Sequence, residues 1–107
     1  MAWVFILVAG LFEVAMAYSL KLSDGFSEVL PSIGFVVFSV LSFGLLAIGL
    51  KTLEVGTAYA VWTGIGAVGT AALGIIVLGE SASALKIASI LLIIAGVVGL
   101  NLAGGGH

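Results

Sequence analysis

The chain has 107 residues, 63% of them hydrophobic and 7% charged, with a mean hydropathy of +1.43 and a formal net charge of −2. A soluble domain carries about a quarter charged residues, so a water-soluble monomer is excluded, and the slightly acidic balance offers nothing to nucleic acid. Cysteine is absent, which removes disulfide frameworks, thiolate metal sites and cysteine nucleophiles. The one histidine, His107, follows three glycines at the C-terminus and is too loosely tethered for a base or a ligand. Neither a metal nor a cofactor is expected.

The charges fall at Glu13, Lys21, Asp24, Glu28, Lys51, Glu54, Glu80 and Lys86 and leave long intervals untouched. Since a membrane span needs roughly 20 apolar residues, four spans are predicted, at about 2–20, 29–50, 55–79 and 87–103. Together they make 1–107 a single four-helix transmembrane domain with short connections and both termini on one side. The first stretch lacks the Lys/Arg-rich start of a signal peptide and is followed by three more spans, so it reads as retained.

Span one holds the exception to its own apolarity. Glu13 lies ten residues after Trp3, an expected interface anchor, which puts it about 15 Å deep, near the bilayer midplane. Keeping a carboxylate ionised there costs at least ~2.5–3.5 kcal/mol, so it must be neutral, paired or facing a watered cavity. Such a group can hold either a proton or a cation. The bland alternative is a structural acid bonded to hydroxyls. At 100° per residue Ala9, Gly10, Met16 and Ala17 lie within about 60° of Glu13, so the carboxylate faces a space rather than a wall.

A turn follows at Asp24-Gly25, and Pro31 falls in the first turn of span two, where its missing N–H costs little. Span two carries Ser39 and Ser42 on one face with Phe35, Phe38 and Leu46. Either hydroxyl there can donate to Glu13, hold a polar substrate, or bond back to its own helix carbonyl. In span three Tyr59, Trp62, Thr63 and Gly66 share one arc. Two aromatics at i, i+3 beside an acid can box a cation, an attraction worth ~0.5–2 kcal/mol, although an isolated aromatic pair reads as core or interface belt. Gly66, Thr70 and Gly74 recur every four residues as a small-residue stripe, read as packing within one subunit.

Gly79 marks the expected stop of span three. Span four has no polar work to do, and its small residues Ser89 and Gly96, with Ala95 and Gly99, suit contact with a second subunit. The remaining charges at span ends read as solvated boundary groups without chemistry. Lys21 and Lys86 fall on one face of the membrane and Lys51 on the other, a bias close to nil. Insertion in both directions, and hence an antiparallel pair, is permitted; a single topology is the competing reading. There is no P-loop, no zinc-protease helix and no nucleophile with a base, so no enzyme is expected. With one acid and only four helices, a water-accessible cavity walled on all sides is hard to build, whereas two chains supply eight helices and two facing carboxylates.

The segments Gly10-Leu-Phe-Glu13-Val, Leu20-Lys21 with Gly25-Phe26, Pro31-Ser32, Ser42-Phe43, Gly56-Thr-Ala-Tyr59-Ala-Val-Trp62-Thr-Gly64-Ile-Gly66 and Ala95-Gly96-Val97 resemble the small multidrug resistance family of proton-coupled exporters over essentially the full chain. The resemblance implies an all-α membrane protein of four transmembrane helices per subunit, assembled as an antiparallel, dual-topology dimer in the bacterial inner membrane. It implies that paired Glu13 carboxylates bind either protons or one small organic cation, with Gly10, Ser42, Tyr59 and Trp62 at the site, to which the shared arc of span three adds Thr63. It further implies a flexing point at Gly64 to Gly66 and subunit pairing through helix four, at Ser89 and Gly96. Within the family the run GTAYAVWTGIGAVGTA is most like the guanidinium-exporter subtype, but Met16 stands where that subtype has tryptophan, and Asn101 where many members have lysine. Export of guanidinium or a substituted guanidinium is the expected function. Export of quaternary ammonium or multidrug cations, and service as one half of a heterodimer, stay open; so do, from other classes, a non-transporting membrane adaptor and a channel.

Overall fold

The computed structural model describes residues 2–103; His107 lies outside them. Four helices follow one another, α1 (Ala2–Leu22), α2 (Val29–Gly49), α3 (Val55–Ile76) and α4 (Ala84–Leu102), and each is long and apolar enough to cross a membrane. The fold is the all-α, four-span architecture expected from the charge-free intervals. In lipid a helix satisfies its backbone polar groups within itself, and that requirement, rather than any strong amphipathic stripe, makes these segments helical.

The connections are built from local hydrogen bonds. After α1 the chain turns through three consecutive left-handed residues, Asp24 (φ 48°), Gly25 (φ 70°) and Phe26 (φ 67°). Buried Ser23 organises this turn: its hydroxyl donates to the Leu20 carbonyl at 2.7 Å and accepts from the Phe26 N–H at 3.1 Å. A phenylalanine pays a steric cost in that region of backbone space, offset by its ring standing edge-on to Phe35 at 5.4 Å. Gly79, at φ +71°, reverses the chain after α3. Helix α4 starts three residues ahead of the expected span because Ser83 caps it, its side chain accepting from the Lys86 N–H at 3.1 Å. Lys86 is therefore in the first helical turn, and its Nζ donates to the Ser81 carbonyl at 2.7 Å.

Packing is uneven from end to end. Ile6, Ala9, Leu46, Leu53, Ala58, Val61 and Trp62 form the buried core, at the end of the bundle where α1 begins, α2 stops and α3 starts. Close approach there depends on Gly49, where a β-carbon would meet Ile6 Cδ1 at 2.6 Å. Helix α2 reaches α3 at Ser42 and Phe43, which meet Trp62, while Phe12 and Phe38 stack between α1 and α2 at 6.0 Å. Among the described residues α4 touches only α3 and has no buried residue. The result is a slab with Cα extents of 43 × 34 × 17 Å.

Candidate functional site

Helix α1 carries Glu13 at the boundary between the packed end and an open one. Its side chain lies over the bare Cα of Gly66 on α3, in the space that a β-carbon would fill. Glu13 Oε1 is buried and has no hydrogen-bond partner among the described residues. A buried acceptor left unpaired costs about 1–3 kcal/mol, more if charged, so this oxygen calls for a proton or for a cationic donor. Beside it opens a cavity of about 500 Å³ between α1 and α3, lined by Glu13, Met16 and Ala17 on one wall and Thr63, Gly66 and Thr70 on the other. The stripe Gly66, Thr70, Gly74 is thus the floor of this cavity, not a seam between packed helices. Its glycines make room for polar side chains instead of for a neighbouring backbone.

The other expected site residues divide into two groups. Thr63 shares the cavity with Glu13. Ser42, Trp62 and Tyr59 form a second cluster. The Ser42 hydroxyl donates to the Ala9 carbonyl at 2.7 Å, and the Trp62 Nε1–H donates to the Ser42 oxygen at 3.0 Å. The serine bonds neither to Glu13 nor to its own helix; it joins α2 and α3 to α1 one turn before the acid. Ser39, by contrast, bonds back to the Phe35 carbonyl at 2.7 Å. Tyr59 sits 5.2 Å from Trp62, centroid to centroid, and is half exposed, so one aromatic is locked and the other is free to meet something outside this chain. Gly10 does not border the cavity: Ile65 covers it, with Ile65 Cγ2 2.6 Å from where a β-carbon would stand. Gly64 faces Val97 of α4, and α3 runs unbroken through Gly64 and Gly66. Ser89 and Gly96 lie on the exposed length of α4, with open space over Gly96.

Two charges that read as boundary groups also line the cavity, Lys21 and Glu80. Glu80 comes within reach because its backbone N–H donates to the Gly74 carbonyl at 3.0 Å, folding the chain back over the end of α3. The only hint in the sequence was Gly79, and it signalled a turn without a direction.

Four apolar helices of membrane-spanning length, with an unpaired buried acid at the edge of a cavity between α1 and α3, define a small multi-pass membrane transporter. Residues 1–93 match the family described as Small Multidrug Resistance protein, and the chain belongs to that family of inner-membrane transporters. It is 58% identical over 103 residues, 96% of its length and 99% of the relative's, to a guanidinium exporter of Yersinia pseudotuberculosis. It is 54% identical to the guanidinium exporter of Salmonella typhimurium and 52% to that of Escherichia coli strain K12, each over 95% of this chain and 97% of the relative.

Proposed function

We propose that this chain exports guanidinium, or a substituted guanidinium, in exchange for protons, as an antiparallel dimer in which the two Glu13 carboxylates are the shared binding site. The observation that carries this reading is the buried, unpartnered Glu13 Oε1 at the edge of a cavity. Guanidinium is planar and permanently charged, so it offers a carboxylate two parallel N–H donors. It supplies what that oxygen lacks. A proton supplies the same thing, and a carboxylate that holds one cannot hold the other. This exclusive occupancy is the coupling: the exchanger changes sides loaded with one or the other.

Dimerisation follows from the slab's thinness. A sheet of helices 17 Å thick leaves the cavity open along a flank, and a second copy closes it. Half-exposed Tyr59 and the small residues Ser89 and Gly96 are the groups assigned to that contact. In an antiparallel pair one copy presents its packed end where the other presents its open end. Exchanging the two conformations then interconverts inward-open and outward-open states of equal energy. Met16 favours a substrate with an apolar substituent, because a flexible thioether on the wall accommodates an alkyl group where an indole would fill the space.

The test is proton release from purified protein in detergent on adding guanidinium near neutral pH, together with transport into liposomes across a panel of guanidinium, alkylguanidines and quaternary ammonium ions. Protons are released, transport reverses when the proton gradient is inverted, and Glu13→Gln abolishes both. A Glu13→Gln protein that still exchanges cations for protons overturns the mechanism. Absence of release identifies an adaptor, and current that ignores the proton gradient a channel.

A further inference from the structure

Helix α3 presents two bare glycine Cα atoms to the cavity, and a carboxylate from another part of the chain lies over each. Glu13 covers Gly66 and Glu80 covers Gly74. Eight residues separate the glycines, which at the α-helical rise is about 12 Å, with Thr70 on the floor between them. Glu13 is at the inner end of this floor; Glu80, exposed in the connection after α3, is at the mouth. The loop that carries Glu80 is fixed by Gly79, by the bond from its own N–H to Gly74, and by the Lys86 bond to Ser81.

We propose that Glu80 is a second cation-binding carboxylate of this cavity, a mouth subsite where an organic cation docks before it reaches Glu13. This rests on the transport reading above and adds a site to it. A guanidinium ion is too small to span both acids and moves from one to the other. Lys21, which lines the same cavity, offsets the charge of Glu80, so a monovalent cation is held weakly and passes on, as conduction between successive sites requires. Being exposed to water, the mouth subsite is screened by salt within about one Debye length, ~10 Å at 0.1 M, whereas the inner one is not.

In liposomes Glu80→Gln is expected to raise the KM for guanidinium about five- to ten-fold at low ionic strength with Vmax little changed, and to flatten the rise of KM with salt that the unaltered protein displays. Gly74→Ala, whose methyl group displaces the carboxylate without removing its charge, is expected to raise KM in the same direction. In the full-length Glu13→Gln protein, where the inner carboxylate is gone, titrated guanidinium chloride is expected to shift the backbone amide resonances of Gly74 and Glu80, and the added Glu80→Gln change to abolish the shifts. No shift in Glu13→Gln, or a Glu80→Gln KM and salt dependence equal to those of the unaltered protein, overturns the mouth subsite. Those outcomes leave the transport reading standing. Loss of guanidinium transport by the unaltered protein sinks that reading instead, while the amide shifts continue to report the subsite.

Discussion

The two ends of the bundle use the same residue for opposite purposes. At the packed end Gly10 and Gly49 are filled by hydrocarbon, from Ile65 and Ile6; at the open end Gly66 and Gly74 are covered by the carboxylates of Glu13 and Glu80. Gly69, facing Val14, continues the hydrocarbon pattern on the neighbouring strip of α3. A glycine in a membrane helix therefore marks a close approach without saying what approaches. Where the visitor is an isoleucine the result is a close apolar contact. Where it is a carboxylate the result is a cavity with an acid over its wall. Helix α3 thus packs into the core at one end and forms a cavity wall at the other.

Adding a methyl group at each kind of glycine separates the two roles, and the largest effect is expected at Gly66. A β-carbon there lands on the far end of the Glu13 side chain, which can swing aside without disturbing the backbone. Gly66→Ala is expected to leave thermal unfolding in detergent nearly unchanged, to lower guanidinium transport by about two orders of magnitude, and to remove substrate-triggered proton release. A one-ångström misplacement of a positioned group costs about that factor. Should transport persist, the close approach of Glu13 to Gly66 is incidental to function.

At Gly49 the same methyl group meets Ile6, which has no exposed surface and nowhere to go. Overpacking of this kind costs about 1–3 kcal/mol. Gly49→Ala is expected to lower the Tm and leave the guanidinium KM of the protein that remains folded unaltered. The contrast between Gly66→Ala and Gly49→Ala, one losing function and one losing stability, is the sharpest check on the division of the bundle into a packed core and a cavity.

Much of this was legible in the sequence. Charge-free intervals gave the four spans because hydrophobic length is a property of the chain alone, and Glu13 stood out because a lone acid in an apolar helix is expensive wherever the helix goes. What stayed hidden depended on neighbours. Gly10 lies on the same arc as Glu13, yet Ile65 of α3 covers it; helical periodicity orients a face but not what is set against it. The pattern of span two leaves Ser42 free to serve the acid, a polar substrate or its own helix carbonyl, and the acceptor is the Ala9 carbonyl across the interface. Glu80 looked like a solvated boundary charge because hydropathy cannot register a chain that folds back over a glycine. Lys86 reads as part of a connection because hydropathy does not register the Ser83 cap that draws it into the first turn of α4.

The hydrogen-bonded chain from Trp62 through Ser42 to Ala9 ties α3 and α2 to α1 at the packed end, one turn from Glu13, and its loss is expected to matter less than either glycine. Ser42→Ala leaves the Trp62 N–H without an acceptor and the Ala9 carbonyl without its cross-helix donor. Interhelical bonds of this type in membrane proteins are worth about 0.6 kcal/mol on average and at most ~1.7, so the variant is expected to lose about 1 kcal/mol in a detergent unfolding titration. The position of Trp62 relative to Tyr59 should loosen, and the KM for guanidinium should rise about three-fold. Thr at position 42 should restore most of both quantities, since it keeps the donor; a Thr variant as impaired as Ala would assign the effect to packing in the core.

The smallest effect separates a lipid-facing surface from a subunit contact. Gly44 in α2 and Gly96 in α4 both have open space where a β-carbon would stand, and both are exposed in the single chain. Glycine within a helix is about 0.5–1 kcal/mol less favourable than alanine, so a position that faces lipid gains about that much on Gly→Ala substitution. Gly44→Ala is therefore expected to raise stability slightly and to change neither dimer dissociation nor transport. If Gly96 lies in the proposed subunit contact, the same gain is opposed by the second copy, whose helix must move away to admit the methyl group, and dissociation on dilution in detergent should shift to higher protein concentration. Equal behaviour of the two variants would remove Gly96 from the subunit contact, whereas the expected divergence assigns α4 to the pair and leaves the Gly44 face of α2 to lipid.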